Sequence, residues 1–209
     1  DGLQLDGVVA VAADYRHTLA LKADGTVWAW GWDYYGQLGD GTVREPVDDG
    51  TPDQVAGLSD VVAIAAGGHI SVALKADGTV WAWGSNYGGR LGIGPQMYGD
   101  SFEFPIPQQV SGLSGVVAID ATLDNGYAVK SDGTVWVWGG FCGPCVNTES
   151  PPSGWNNSGT ALQVAGVGGI VAVTADRNSV IGRRADGTLL AWGENANGEL
   201  GRATGMHTS

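Results

Sequence analysis

Short apolar runs separated by glycine-rich polar turns organise the whole chain. Val8-Val-Ala-Val-Ala-Ala13 is followed by Thr18-Leu-Ala-Leu21 and then by Thr26-Val-Trp-Ala-Trp30. Runs of this length, rich in β-branched and aromatic residues and bounded by glycine, read as strands. The first run is apolar at every position, which predicts a strand buried on both faces, with alanine permitting close approach. Between the second and third stands Lys22-Ala-Asp-Gly25, a tight hairpin in which Gly25 supplies the positive φ that other residues resist. In the third run Trp28 and Trp30 share one face, because side chains alternate along a strand. Large aromatics dominate buried area, so packing against a neighbouring sheet is the expected role, rather than a ladder for stacking a ligand. A fourth element is marked by Gln54-Val55 before a Gly-containing turn.

The same four pieces return. Val61-Val-Ala-Ile-Ala-Ala66, Val116-Val-Ala-Ile119 and Ile170-Val-Ala-Val173 repeat the first, and Gln109-Val110 and Gln163-Val164 repeat the fourth. The phrase ending Trp-Ala-Trp-Gly31 recurs with closing glycines at Gly84, Gly139 and Gly193, spaced 53, 55 and 54 residues apart. Four short strands in a unit of this period make one blade of a β-propeller. The expected fold is therefore all-β: a single propeller over 1–209, with four visible repeats of about 54 residues. They run approximately over 7–60, 61–115, 116–169 and 170–209, with 1–6 as a candidate closing strand.

His17-Thr-Leu-Ala-Leu-Lys-Ala-Asp-Gly-Thr-Val-Trp-Ala-Trp-Gly31, followed by Gly36-Gln-Leu-Gly39, resembles the repeat of the regulator of chromosome condensation family. The resemblance extends over all four units and implies a propeller, most often of seven blades. The departures are specific. Ile70, Asn125 and Ser179 stand where repeat one has His17. The Gly-x-Leu-Gly turn persists at Gly89 to Gly92 and Gly198 to Gly201, but Pro144-Cys-Val-Asn147 replaces it in repeat three. Repeat four has no Gln-Val strand after Gly201, whereas Leu3-Gln-Leu5 precedes the first repeat and is similar to it. That segment completes either blade four of a small closed ring or the blade before an arc. The arc is the favoured reading: an incomplete or permuted ring whose missing blades come from a longer parent or a second copy. An open arc exposes unpaired strand edges, so self-association through blade edges is an expectation. The start at Asp1, without methionine, reads as a processed or excised piece.

Composition narrows the function classes. Ten basic residues stand against twenty-two acidic ones, a formal charge of −12. Nucleic-acid affinity rests on Lys and Arg neutralising phosphates, so no nucleic-acid partner is expected. Anionic lipid is disfavoured for the same reason, and no apolar run is long enough to insert in a membrane. Cys142-Gly-Pro-Cys145 matches a redox tetrapeptide, but no strand-to-helix context follows it, so a local disulfide or two free thiols is expected instead of catalysis. Two cysteines do not complete a structural zinc site, and the histidines His17, His69 and His207 have no zinc-motif spacing. The acidic cluster Asp48, Asp49 and Asp53 matches no calcium loop. Neither a nucleophile elbow nor a phosphate loop is present. The chain reads as a non-enzyme with no metal and no cofactor.

What differs between repeats is the loop after the third strand, and insertions at one point of each repeat collect on one face. These loops carry Trp32, Tyr34, Tyr35, Tyr87, Met97, Tyr98, Phe102, Phe104, Phe141 and Trp155. Two roles stay open for such side chains: rigid anchors for a partner, or small clusters tucked beneath the loops. The expected function is a non-enzymatic interaction module presenting these aromatic, acidic loops to a protein or a glycan. Assembly through blade edges is the alternative. A second alternative, implied by the resemblance, is an enzyme inhibitor similar to propeller-type β-lactamase inhibitors. The resemblance to bacterial repeat proteins also implies an extracellular or cell-surface location. Guanine nucleotide exchange, known in the family, has no support in these loops.

Overall fold

A computed structural model describes residues 4–44, 49–94, 102–140, 158–176, 179–193, 195 and 197–201. Among the described residues, fifteen strands fall into four antiparallel sheets. Blade one holds β1 (Val8–Asp14), β2 (His17–Lys22), β3 (Val27–Gly31) and β4 (Asp49–Gln54). Blade two holds β5 (Val61–Ala66), β6 (Ile70–Lys75), β7 (Val80–Ser85) and β8 (Glu103–Gln109). Blade three holds β9 (Val116–Ala121), β10 (Asn125–Lys130), β11 (Val135–Gly139) and β12 (Ser158–Gln163). Blade four holds β13 (Ile170–Asp176), β14 (Ser179–Arg184) and β15 (Leu189–Gly193). Strand order within each sheet follows the chain, as an up-and-down blade requires. Gln4 and Leu5 form no strand, and Leu3 lies outside the described residues.

The hairpin between second and third strands is built alike in blades one, two and three. Asp24 Oδ1 accepts from the Thr26 amide at 3.0 Å and from the Thr26 hydroxyl at 2.6 Å. Trp28 Nε1 donates to Thr26 Oγ1, and the Lys22 ammonium lies 5.4 Å from the Trp28 ring centroid. The Asp77, Thr79, Trp81 and Lys75 set repeats this, as does the Asp132, Thr134, Trp136 and Lys130 set. Hydrogen bonding to threonine holds each of these aspartates below the usual carboxylate range. The short polar side chain closes its own turn, which is why Asp-Gly-Thr reads as a hairpin in sequence.

Each blade buries its apolar surface against its neighbour. Leu19, Leu21, Val27 and Ala29 of blade one meet Val61, Ala73 and Trp83 of blade two in one cluster. Val72, Leu74, Val80 and Ala82 meet Val116, Ala128 and Trp138 in the next. Tyr127, Val129, Val135 and Val137 meet Ile170 and Val180 in the third. The second tryptophan of each pair is the keystone. Trp83 Nε1 donates to the Gln37 carbonyl at 2.9 Å, and its ring lies against Gly39, where a Cβ would come within 2.6 Å of Nε1. Trp138 sits against Gly92 in the same way. The Gly-x-Leu-Gly turn is thus a socket for the tryptophan of the following blade.

One expectation is corrected. The innermost strands are not buried on both faces: Val9, Val62, Val117 and Val171 are exposed. Strands β1, β5, β9 and β13 stand side by side as the innermost of each blade, and these valines share one register position. Uniform apolarity does not distinguish an axis-facing residue from one packed between blades, because alternation is the only sequence signal for a face.

His17 links blades one and two from within the core. Its Nε2 lies 2.9 Å from Ser71 Oγ, whose own proton goes to the Gln37 carbonyl at 2.8 Å. The hydroxyl is then the acceptor and His17 Nε2 the donor, so the ring sits as the neutral Nε2–H tautomer. Burial, with a smaller contribution from His69, lowers its pKa to about 4. A lowered pKa means that the unfolded chain binds the proton more readily. His17 therefore contributes stability in full above pH 6.5, and that stability is lost as pH falls from 6.5 towards 4. Urea unfolding at pH 7 and pH 4.5 should show wild type losing more stability than His17→Gln, by up to about 3 kcal/mol. Equal losses would show that this ring does not titrate across the window.

Candidate functional site

The loop face is assembled on a frame that repeats beneath residues that do not. Leaving β3, Gly31 adopts φ 109, and a side chain there would meet the Arg16 carbonyl at 2.5 Å. The next amide, Trp32, donates to that same carbonyl; Ser85 donates to His69 O and Gly140 to Asp124 O in the later blades. Asp33 Oδ1 then accepts from the Leu38 amide at 2.9 Å, Asn86 Oδ1 from Leu91 at 3.0 Å, and Asn195 Oδ1 from Leu200 at 3.0 Å. Leu38 and Leu91 are fully buried and pin their turns to the core. In repeat three the equivalent of Asp33 is Phe141, which supplies no acceptor and lies outside the described residues.

On this frame blades one and two carry a continuous aromatic cluster. Trp32 and Tyr34 stack with an interplanar angle of 10° and centroids 5.8 Å apart. Tyr35 meets both edge-on, at 5.6 Å from Trp32 and 5.0 Å from Tyr34. Tyr15, from the β1–β2 turn, and His69, from the β5–β6 turn, close the cluster: His69 lies 5.5 Å from Trp32, 5.0 Å from Tyr35 and 5.7 Å from Tyr15. The Arg16 guanidinium lies 5.1 Å from the Tyr15 centroid and 5.5 Å from that of Trp32. Offset and edge-on arrangements of this kind are favourable beyond the area they bury, and they fix side chains that a loop would otherwise leave to sample many rotamers.

Beside the cluster lies a cavity of about 470 Å³, lined by Tyr34, Tyr35, His69, Ser85, Tyr87, Arg90, Phe102 and Glu103. Tyr87 and Phe102 form its far wall, with centroids 5.7 Å apart. Arg90 lies 5.6 Å from the Tyr87 centroid and pairs with Asp124 of blade three, so its position is fixed from a third blade. Burial, and secondarily the Arg90 charge, lower the pKa of His69. Its imidazole is neutral at pH 7, and the pocket presents aromatic faces with one fixed cation and one carboxylate, Glu103, at the rim. That chemistry suits an apolar or aromatic side chain flanked by polar groups.

A second cavity, of about 400 Å³, lies among the innermost strands and is lined by Asp14, Tyr15, Asp120, Thr122, Thr174 and Asp176, among others. Asp120 accepts from the Ala121 amide at 2.9 Å and the Ala175 amide at 2.7 Å. Burial raises its pKa, and its hydrogen bonds tie blade three to blade four. Among the described residues no group of three His, Cys, Asp or Glu side chains is placed to hold a metal ion.

Of the aromatics singled out in the sequence, Trp32, Tyr34, Tyr35, Tyr87 and Phe102 come together on this face. Tyr34, Tyr87 and Phe102 are exposed, while Trp32 and Tyr35 are half-buried. Phe104 does not join them: it lies on β8, packed against the core between blades two and three. Met97, Tyr98, Phe141, Trp155, Cys142 and Cys145 lie outside the described residues. Sequence reasoning missed Tyr15, Arg16, His69 and Arg90. Tyr15 takes φ 50 at a turn. Neither its turn nor the β5–β6 turn carries the length variation that drew attention to the other loops. The usable signal was alignment of repeats, which sets His69 opposite Arg16 and exposes both as substitutions at one loop-face position.

Models of the regulator of chromosome condensation (RCC1) repeat match residues 24–74 and 77–123, and in a second form 8–37 and 61–90. Human E3 ubiquitin-protein ligase HERC2 is 35% identical over 99% of this chain, which spans 4% of HERC2. Human WBSCR16 superposes with a TM-score of 0.77 at 24% identity, over 95% of this chain and 50% of that one. Yeast RCC1 (Prp20), solved bound to Kap60, superposes with a TM-score of 0.76 at 22% identity, over 94% and 46% of the two chains.

Asn86 offers a direct test of the frame, since it is buried and its backbone N–H also donates to the Phe102 carbonyl at 2.7 Å. Replacing Asn86 with Ala strands the Leu91 amide and should cost about 1–3 kcal/mol in urea unfolding. A variant as stable as wild type would show that the turn does not depend on this acceptor.

Proposed function

We propose that this chain, which belongs to the regulator of chromosome condensation repeat family, is a non-enzymatic protein-binding module whose partner seats on the aromatic face of blades one and two. The observation that carries the reading is the aromatic lining of the 470 Å³ cavity: Tyr34 and Tyr35, backed by Trp32, with Tyr87 and Phe102 facing them. Binding energy at protein interfaces concentrates in a few tyrosines, tryptophans and arginines seated in desolvated pockets. Here three exposed aromatics border a cavity whose interior is held by ring contacts already made in the free protein. A partner would pay little ordering entropy on this side of the interface.

The partner's contribution would be an apolar or aromatic side chain inserted between Tyr34 and Tyr87, with a backbone or polar group near Arg90 and Glu103. Yeast RCC1 (Prp20), solved bound to Kap60, is a protein of this fold with a protein partner, which supports the reading. The ligase activity in the name of human HERC2 belongs to a protein of which this chain matches 4%, and the reading assigns no catalytic step to these residues.

Affinity capture with quantitative mass spectrometry tests the proposal. Proteins retained by wild type should fall roughly tenfold or more with the triple variant Tyr34→Ala, Tyr87→Ala and Phe102→Ala. They should be unchanged by Lys130→Ala on the hairpin face. Unchanged recovery with the triple variant, or displacement of all bound protein by free oligosaccharide, would sink the assignment.

A further inference from the structure

Three register-equivalent residues stand on the loop face between first and second strands: Arg16, His69 and Asp124, directly before His17, Ile70 and Asn125. The frame uses all three alike, through backbone carbonyls that accept from the Trp32, Ser85 and Gly140 amides. Their side chains differ in what they can do. Arg16 is charged at every working pH and lies over Tyr15 and Trp32. Asp124 is tied to Arg90. Between them stands a histidine, the residue type whose ordinary titration falls near neutrality. Of the three, His69 is the one that lines the aromatic cavity.

The surroundings of His69 suit a neutral ring. Tyr15, Trp32 and Tyr35 press on it, with centroids 5.7, 5.5 and 5.0 Å away. An imidazolium donates from both ring nitrogens, yet His69 Nδ1 is buried and meets no hydrogen-bond partner among the described residues. With charge on the ring, Nδ1–H is a buried donor with nothing to receive it. The neutral ring avoids this by carrying its proton on Nε2. The charged groups that face it are divided. Arg90, from the turn after β7, and Arg16, from the β1–β2 turn, oppose a proton; Asp124, from the β9–β10 turn, and Asp14, at the end of β1, favour one. Glu103, at the start of β8, lines the cavity with it, and His17 on β2 feels its charge. Burial is the largest influence and the Arg90 charge the next, and the balance lowers the His69 pKa from its ordinary 6.5.

We infer that His69 makes the aromatic cavity a pH-gated seat: a partner's apolar or aromatic side chain enters while the ring is neutral and is released when the ring takes up a proton. The inference rests on the reading of this face as a docking site. The physical link is water. His69 is half-buried in the free protein, so solvent on the cavity side can stabilise a charge there. A side chain seated between Tyr34 and Tyr87 removes that water and leaves the charge beside Arg90. Seating and protonation therefore compete. The contacts with Tyr15, Trp32 and Tyr35 pull the other way, since a cation on a ring face is favourable. They are present with or without a partner, however, and leave the competition unchanged. The sign follows from linkage. The seated form holds the proton less tightly than the free form, so affinity is level above pH 6.5 and falls below it, by at most about tenfold per pH unit for one proton.

NMR titration of the 209-residue chain with 4-methylphenol tests the gate. This probe is the tyrosine side chain without its backbone, and it stays uncharged across the range used. Added probe should shift the Tyr34, Tyr87 and Phe102 resonances, and its Kd should rise about threefold or more from pH 7.5 to pH 5. His69→Gln should show one Kd at both pH values, whatever that Kd is. This variant keeps His17, so any loosening of the core as His17 titrates is common to both proteins and cannot produce the difference. Without probe, the His69 ring should titrate with a midpoint below 6.5, and the Trp32 and Tyr35 signals should move with it. A wild-type Kd that ignores pH, or an equal rise in His69→Gln, would overturn the gate and leave the docking reading standing. Absence of probe shifts at these residues, or undiminished binding to the triple variant Tyr34→Ala, Tyr87→Ala and Phe102→Ala, would remove the seat itself and the gate with it.

Discussion

A blade cannot bury its own apolar surface. Each four-stranded sheet has two flanks, and the cores lie between sheets rather than within any one of them. Everything else follows from the need to bring flanks together closely: the glycine at the hairpin, the glycine under each inter-blade tryptophan, the alanines at the centres of the strands. At Gly39 and Gly92 the approach is so close that a single methyl group would collide with an indole. Buried area alone would favour larger residues there; the docking of a whole tryptophan outweighs it.

The same constraint explains how much could be read without coordinates. Hairpin, tryptophan pair and period are local patterns, and the structure reproduces the strands and turns they predict. The error at Val9 and its equivalents arose because burial between blades and exposure to the central axis both tolerate valine. Phe104 stands in a variable stretch, yet its strand carries it against the core between blades two and three. Conversely, Tyr15 and His69 belong to short turns between first and second strands, and only three-dimensional convergence brings them to Trp32. Contacts between repeats are set by blade spacing, which no local window contains.

Function and frame are separated in this architecture by a single hydrogen bond. Asp33 and Asn86 look inward and hold their turns; the residues immediately after them, Tyr34 and Tyr87, look outward to the cavity. The frame residues answer to the core, and the outward ones only to neighbouring side chains of the loop face. A surface can then diverge blade by blade without disturbing the fold, which is how a repeat scaffold acquires a site that is not itself repeated.

The seating of Trp83 on Gly39 also has a bearing on how such a chain can change. Socket and indole lie in different blades, far apart in sequence, so a mutation at either is judged by a residue that arose in another copy of the repeat. A whole blade can be duplicated and will find a matching neighbour on both sides. A single blade edited alone will not. The chain is in this sense inherited by its joints rather than by its blades, and variation that crosses a joint must arrive in pairs.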